Sequence, residues 1–118
     1  MKTAILECLL REPSQAGDGT VKGRYCFPES FIGFQGHFPG NPILPAVVQI
    51  QAAQVCICRA LDENMIVSKV INGKFLETVE AGAELVVECN PKGDGRFLCK
   101  VTDISTGRLA SSFQLVLA

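Results

Sequence analysis

The chain has 118 residues and a formal net charge of −1, which fits one domain, 1–118, with room for a single sizeable core. At 47% hydrophobic and 19% charged it is globular rather than disordered. No basic run or stripe appears, which argues against nucleic acid as a partner.

Residues 3–10 (TAILECLL) mix helix and strand signals, and 20–27 (TVKGRYCF) alternate as a strand does. The turn-rich EPSQAGDG between them lets 3–12 and 19–27 pair as a hairpin. Residues 28–42 are rich in proline and glycine and read as an irregular loop. A helix is predicted from about Pro45, where a missing N–H costs nothing, through AVVQIQAAQVCICRAL to Leu61, closed by Asp62-Glu63-Asn64. It is apolar nearly all round, so burial on most sides is expected. With Pro45, three glutamines and Arg59, the run 43–61 is too short and too polar to span a membrane. Four strands follow: MIVSKVINGKFL (65–76), AELVVECNP (83–91), GRFLCKVTDI (95–104) and RLASSFQLVLA (108–118), separated by turns such as PKGDG and STG. An antiparallel sheet around one buried helix, an α+β fold, satisfies this order.

Six cysteines stand at positions 8, 26, 56, 58, 89 and 99, and no N-terminal export signal precedes them. They read as free, mostly buried thiols in a cytoplasmic protein. Cys56-x-Cys58 has neither metal nor redox spacing, and with one histidine and no C-x-x-C pair no metal is expected.

That histidine, His37, lies in GHFPGNPILPAVVQIQAAQ (36–54). The stretch resembles the signature of the FabA/FabZ-type β-hydroxyacyl-(acyl-carrier-protein) dehydratases, which have a hotdog fold. PILPAVVQ is closest to the aryl-polyene (ApeI-like) dehydratases, and KFLETVEAGAELVVE (74–88) looks like the family's downstream segment. The resemblance implies an antiparallel sheet wrapped around one long central hydrophobic helix. It implies that His37 is the catalytic base, that the backbone amide of Ala46 polarises the thioester carbonyl, and that Gln51 stands where the family has a catalytic Glu or Asp. The implied tunnel wall is Phe34, Phe38, Pro39, Pro45, Val47 and Gln54. No cofactor is implied. The implied partner is an acyl-carrier protein or coenzyme A thioester on a phosphopantetheine arm. The implied assembly is a homodimer or higher even oligomer, or a pair with a second hotdog chain.

The chemistry suits these residues, apart from one. A histidine titrating near neutrality can take the C2 proton of a 3-hydroxyacyl thioester. Unpaired amides at a helix N-terminus can hold the developing enolate oxygen. Gln51, however, cannot deliver a proton; its amide only donates and accepts hydrogen bonds. Asp62 and Glu63 lie some 15–20 Å further along the helix, and Glu29 sits in the loop, so no carboxylate replaces it in place.

The principal reading is therefore a 3-hydroxyacyl-thioester dehydratase of fatty-acid or polyene-type biosynthesis. A second reading is a non-catalytic acyl-thioester or acyl-carrier-binding module, such as the inactive half of a heteromeric dehydratase, with Gln51 bonded to His37. Thioester hydrolysis ranks last, since it too calls for a helix carboxylate. An acidic carrier would need a basic patch, for which Arg59, Lys69, Lys74, Arg96 and Arg108 are candidates.

Overall fold

The structure is a computed structural model that describes residues 1–34 and 42–118. In chain order it contains α1 (Lys2–Glu7), β1 (Leu9–Gln15), β2 (Val21–Cys26), a 3-10 turn (Ile32–Phe34), α2 (Ala46–Leu61), β3 (Val67–Phe75), β4 (Glu84–Gly93), β5 (Arg96–Asp103) and β6 (Arg108–Leu117). The strands form one antiparallel sheet in the order β1-β2-β4-β5-β6-β3, with α2 packed on its inner face.

Period-two alternation sets which side chains reach the helix. Leu85, Val87 and Cys89 of β4, Phe97, Cys99 and Val101 of β5, and Phe113, Leu115 and Leu117 of β6 are all buried. Ser111 falls in phase with the β6 row and is fully buried as well. The β4–β5 hairpin turns on Asp94 and Gly95, both at positive φ (55° and 74°), the backbone that the PKGDG sequence promises.

The N-terminus departs from the predicted hairpin. Residues 2–7 coil into α1, and the strand begins only at Leu9, running through Pro13 into the expected turn. The helix puts Ile5 and Cys8 into the core, a gain that decides a segment of mixed local preference. Pro13 is tolerated because β1 is an edge strand and its pairing with β2 is interrupted by register shifts. The pairing of β3 with β6 likewise shifts register between Ile71 and Lys74, where Asn72 takes positive φ.

Helix α2 begins where expected. Pro45 is its N-cap, and Asp62 ends it in the left-handed conformation. Its buried residues run Val48, Gln49 and then unbroken from Ala52 to Ile57. Two contacts seat it on β2. The Tyr25 hydroxyl donates to the carbonyl of Ala52 at 2.8 Å. Gly23 lies so close that a Cβ there would stand 2.5 Å from Cys56 Sγ. From Tyr25 a ladder of rings continues through Phe27 and Phe31 to Phe34, with centroids 5.3, 4.8 and 5.8 Å apart. All six cysteines are free, as their setting in the sequence suggested.

Candidate active site

The site is organised by the N-terminus of α2. Among the described residues no side chain caps this helix, and no acidic residue occupies its first turn. The amides of Val48 and Gln49 bond back to the Pro45 carbonyl at 3.1 and 3.2 Å. Those of Ala46 and Val47 have no hydrogen-bond acceptor among the described residues. Two N–H groups at the positive end of the helix dipole thus have no partner among the described residues, a setting suited to an anionic oxygen. A cleft of about 220 Å³ opens beside them, bordered by Leu44, Ala46, Gln49, Phe75, Leu76 and Glu77.

The segment entering the helix is held from two sides. The Leu44 amide donates to the Val79 carbonyl at 2.7 Å, and Ile43 bridges Glu80. The Leu44 carbonyl accepts from Gln49 Nε2 at 3.4 Å, and Gln49 Oε1 accepts from the Ser111 hydroxyl at 2.7 Å. Gln49 is 4% exposed and Ser111 fully buried, so this polar chain runs through the core.

Of the residues expected at the site, His37, Phe38 and Pro39 lie outside the described residues. Pro45, Ala46 and Val47 stand together at the helix start, with Val47 59% exposed. Gln51 is half-buried and four residues after Val47, hence on the same flank of the helix. Gln54 is 7% exposed and donates to the Met65 carbonyl at 2.9 Å, an engagement that ties the helix to the segment leading into β3. Phe34 is buried at the end of the aromatic ladder.

The carboxylates considered as substitutes are not brought to Gln51. Asp62 and Glu63 line a separate polar cleft of about 550 Å³ at the other end of α2, with Glu12, Cys58 and Arg59. Glu29 is exposed in the loop after β2. The cleft at the helix N-terminus does hold one acid, Glu77, which pairs with Arg108 at 3.5 Å. Among the candidate docking cations, Arg59 is likewise taken up, by Glu12. Lys69 and Lys74 stand exposed on β3. No group of three metal-ligating side chains occurs among the described residues. None of the described helices is long and apolar enough to cross a membrane.

Gln49, Ser111 and Glu77 were not singled out from the sequence. Ser111 left a faint signal there, as the polar member of the alternating row Ser111, Phe113, Leu115, Leu117. Gln49 was visible as an amide in a helix predicted to be buried on most sides, but its partners are 5 and 62 residues away.

The architecture is that of known hotdog proteins. The dehydratase heterocomplex ApeI:P from Xenorhabdus doucetiae superposes with a TM-score of 0.80 at 20% identity, covering 93% of this chain and 96% of that one. An uncharacterised protein from Erwinia carotovora subsp. atroseptica gives 0.71 at 22% identity, covering 92% and 90%. The family model described as ApeI dehydratase matches residues 13–112, and the chain belongs to this ApeI-like dehydratase family. Curated relatives include the 3-hydroxyacyl-[acyl-carrier-protein] dehydratase FabZ of Wolbachia sp. subsp. Drosophila simulans, 33% identical over 100 residues, 73% of this chain and 66% of the relative. The FabZ of Wolbachia pipientis subsp. Culex pipiens is 38% identical over 74 residues, 57% of this chain and 50% of the relative. The chain thus spans about half to two thirds of the length of these two relatives.

Proposed function

We propose that the protein dehydrates 3-hydroxyacyl thioesters carried on a phosphopantetheine arm, of an acyl-carrier protein or of coenzyme A. The observation that carries this reading is the open N-terminus of α2: the Ala46 and Val47 amides have no acceptor among the described residues, and Ala46 borders a cleft. The thioester oxygen accepts from these amides, which stabilises the enolate that forms when a proton leaves C2. His37 takes that proton. The C3–O bond then breaks as the C2–C3 double bond forms, and the hydroxyl leaves as water. Gln51 holds the departing oxygen by hydrogen bonding, and the imidazolium formed at His37 supplies the proton that Gln51 cannot.

The active assembly is proposed to be a dimer joined along β3. This strand ends the sheet, its outer edge is free among the described residues, and Val70, Phe75 and Leu76 beside it are 42%, 42% and 60% exposed. Lys69 and Lys74 on the same strand support docking of an acidic carrier. The free thiols fit a cytoplasmic setting.

A second reading is favoured by Gln51 itself: the chain is one half of a heteromeric pair whose other hotdog subunit brings the carboxylate. The test separates the two. Purified protein is incubated with a 3-hydroxyacyl thioester and enoyl formation is followed in the ultraviolet, beside His37→Ala and Gln51→Glu. Turnover that disappears in His37→Ala supports the dehydratase reading. Gln51→Glu is expected to raise the rate, by up to the ~10²–10⁴-fold that a general acid supplies. An inactive wild type whose Gln51→Glu variant turns over supports the half-site reading. Inactivity of every form overturns both.

A further inference from the structure

We infer that Gln49, anchored by Ser111, is a positioning residue that sets the direction of the Ala46 and Val47 amides; its catalytic consequence rests on the dehydratase reading above. The carboxamide of Gln49 is the link between two bodies. Its oxygen accepts from Ser111 Oγ on the inner face of β6 at 2.7 Å, and its nitrogen donates to the Leu44 carbonyl at 3.4 Å. Leu44 precedes the N-cap Pro45, whose ring holds φ at −63°, so little backbone freedom separates the held carbonyl from the Ala46 N–H. The amide of Leu44 is already committed to Val79. The helix entry is therefore clamped through both backbone groups of one residue, to β6 by way of Gln49 and Ser111 and to the segment between β3 and β4 at Val79.

An apolar side chain of similar size would fill the space under Leu44 without the desolvation cost of a buried amide and a buried hydroxyl. It would also leave the carbonyl of Leu44 and the hydroxyl of Ser111 unpaired in the core. The polar chain gives what packing alone does not, one defined orientation. That orientation matters at this place, because Gln49 and Ala46 border the same cleft and because oxyanion donors act only when aimed at the oxygen. A misplacement of about 1 Å costs up to ~10²-fold in rate.

The test uses Gln49→Met, which keeps the volume and removes the amide, and Ser111→Ala, a smaller change that serves if the first variant fails to fold. Two measurements are made on each. In the free protein, ¹⁵N–¹H spectra report the Ala46 and Val47 amides; both resonances are expected to move while those of β4 and β5 stay. With a 3-hydroxyacyl thioester, kcat is expected to fall about 10–100-fold while KM changes less than about 2-fold, since the lost interaction serves the transition state. A merely structural role lowers the melting temperature and leaves kcat per folded molecule intact, and that result overturns the inference. Unmoved Ala46 and Val47 resonances in a folded variant overturn it as well. If the wild type turns over no thioester, the functional reading has failed, and the spectra of the free variants still decide whether Gln49 positions the amides.

Discussion

Gly23→Ala probes how closely β2 approaches the central helix. Gly23 sits in mid-strand, outside the positive-φ region, so the backbone itself accepts a side chain. The obstacle is Cys56: the added Cβ would stand 2.5 Å from its Sγ, and Cys56 has no exposed surface. Ordinary carbon contacts lie near 3.5–4.0 Å, so roughly 1 Å must be absorbed by the helix, the strand or the thiol rotamer. Overpacking of this kind costs about 1–3 kcal/mol. Losing the glycine's freedom in the unfolded chain returns about 0.4–1 kcal/mol. The net is a destabilisation of roughly 1–2 kcal/mol, or a Tm lower by about 4–10 °C for a chain of this size. The assay is a thermal melt of Gly23→Ala, Cys56→Ala and the double variant. Removing the sulfur makes room, so the double variant is expected to recover about 1 kcal/mol relative to the sum of the singles. A Gly23→Ala protein that melts higher than wild type, or strictly additive singles, would refute the close approach.

Alkaline pH tests the thiol core. Burial pushes the Cys56 thiol up from 9.0 to about 12, and a hydrogen bond with Cys99, together with burial, raises Cys89 well above 9.0. The unfolded chain then releases these protons first, so stability is intact below about pH 9 and falls by a few kcal/mol as the pH rises toward 12. Urea midpoints between about pH 8 and 11 should show that slope, and Cys56→Ala should flatten it; an unchanged slope counts against the assignment. At the outer edge of β3, free among the described residues, Val70→Glu with Leu76→Glu should convert the proposed dimer to monomer in sedimentation, and an unaltered mass would place the seam elsewhere. For the chemistry, Gln51→Glu is expected to raise dehydration and His37→Ala to remove it, read from the enoyl product.

The path from residues to fold was readable where the signal is local. Pro45 and Asp62 bracket α2 within a residue of the predicted ends, because a proline and a left-handed cap act on their own backbone. The four strands after the helix, and turns such as Asp94-Gly95, were legible for the same reason. At residues 2–7, local preference was divided, and burial of Ile5 and Cys8 settled it. The motif around His37 carried the resemblance to the family, while the structure describes the start of α2 and His37 lies outside the described residues.

What the sequence determined by itself was therefore the order of helix and strands from β2 onward, the buried helix and the family, all carried by neighbouring residues. What only the tertiary structure decided was how the helix start is held. Ser111 meets Gln49 across 62 positions, Gln54 turns inward to Met65, and Glu77 arrives beside Ala46. These pairings bring the helix against β6 and against the segments on either side of β3. No local pattern specifies them, because their partners become neighbours only after the sheet has closed over α2.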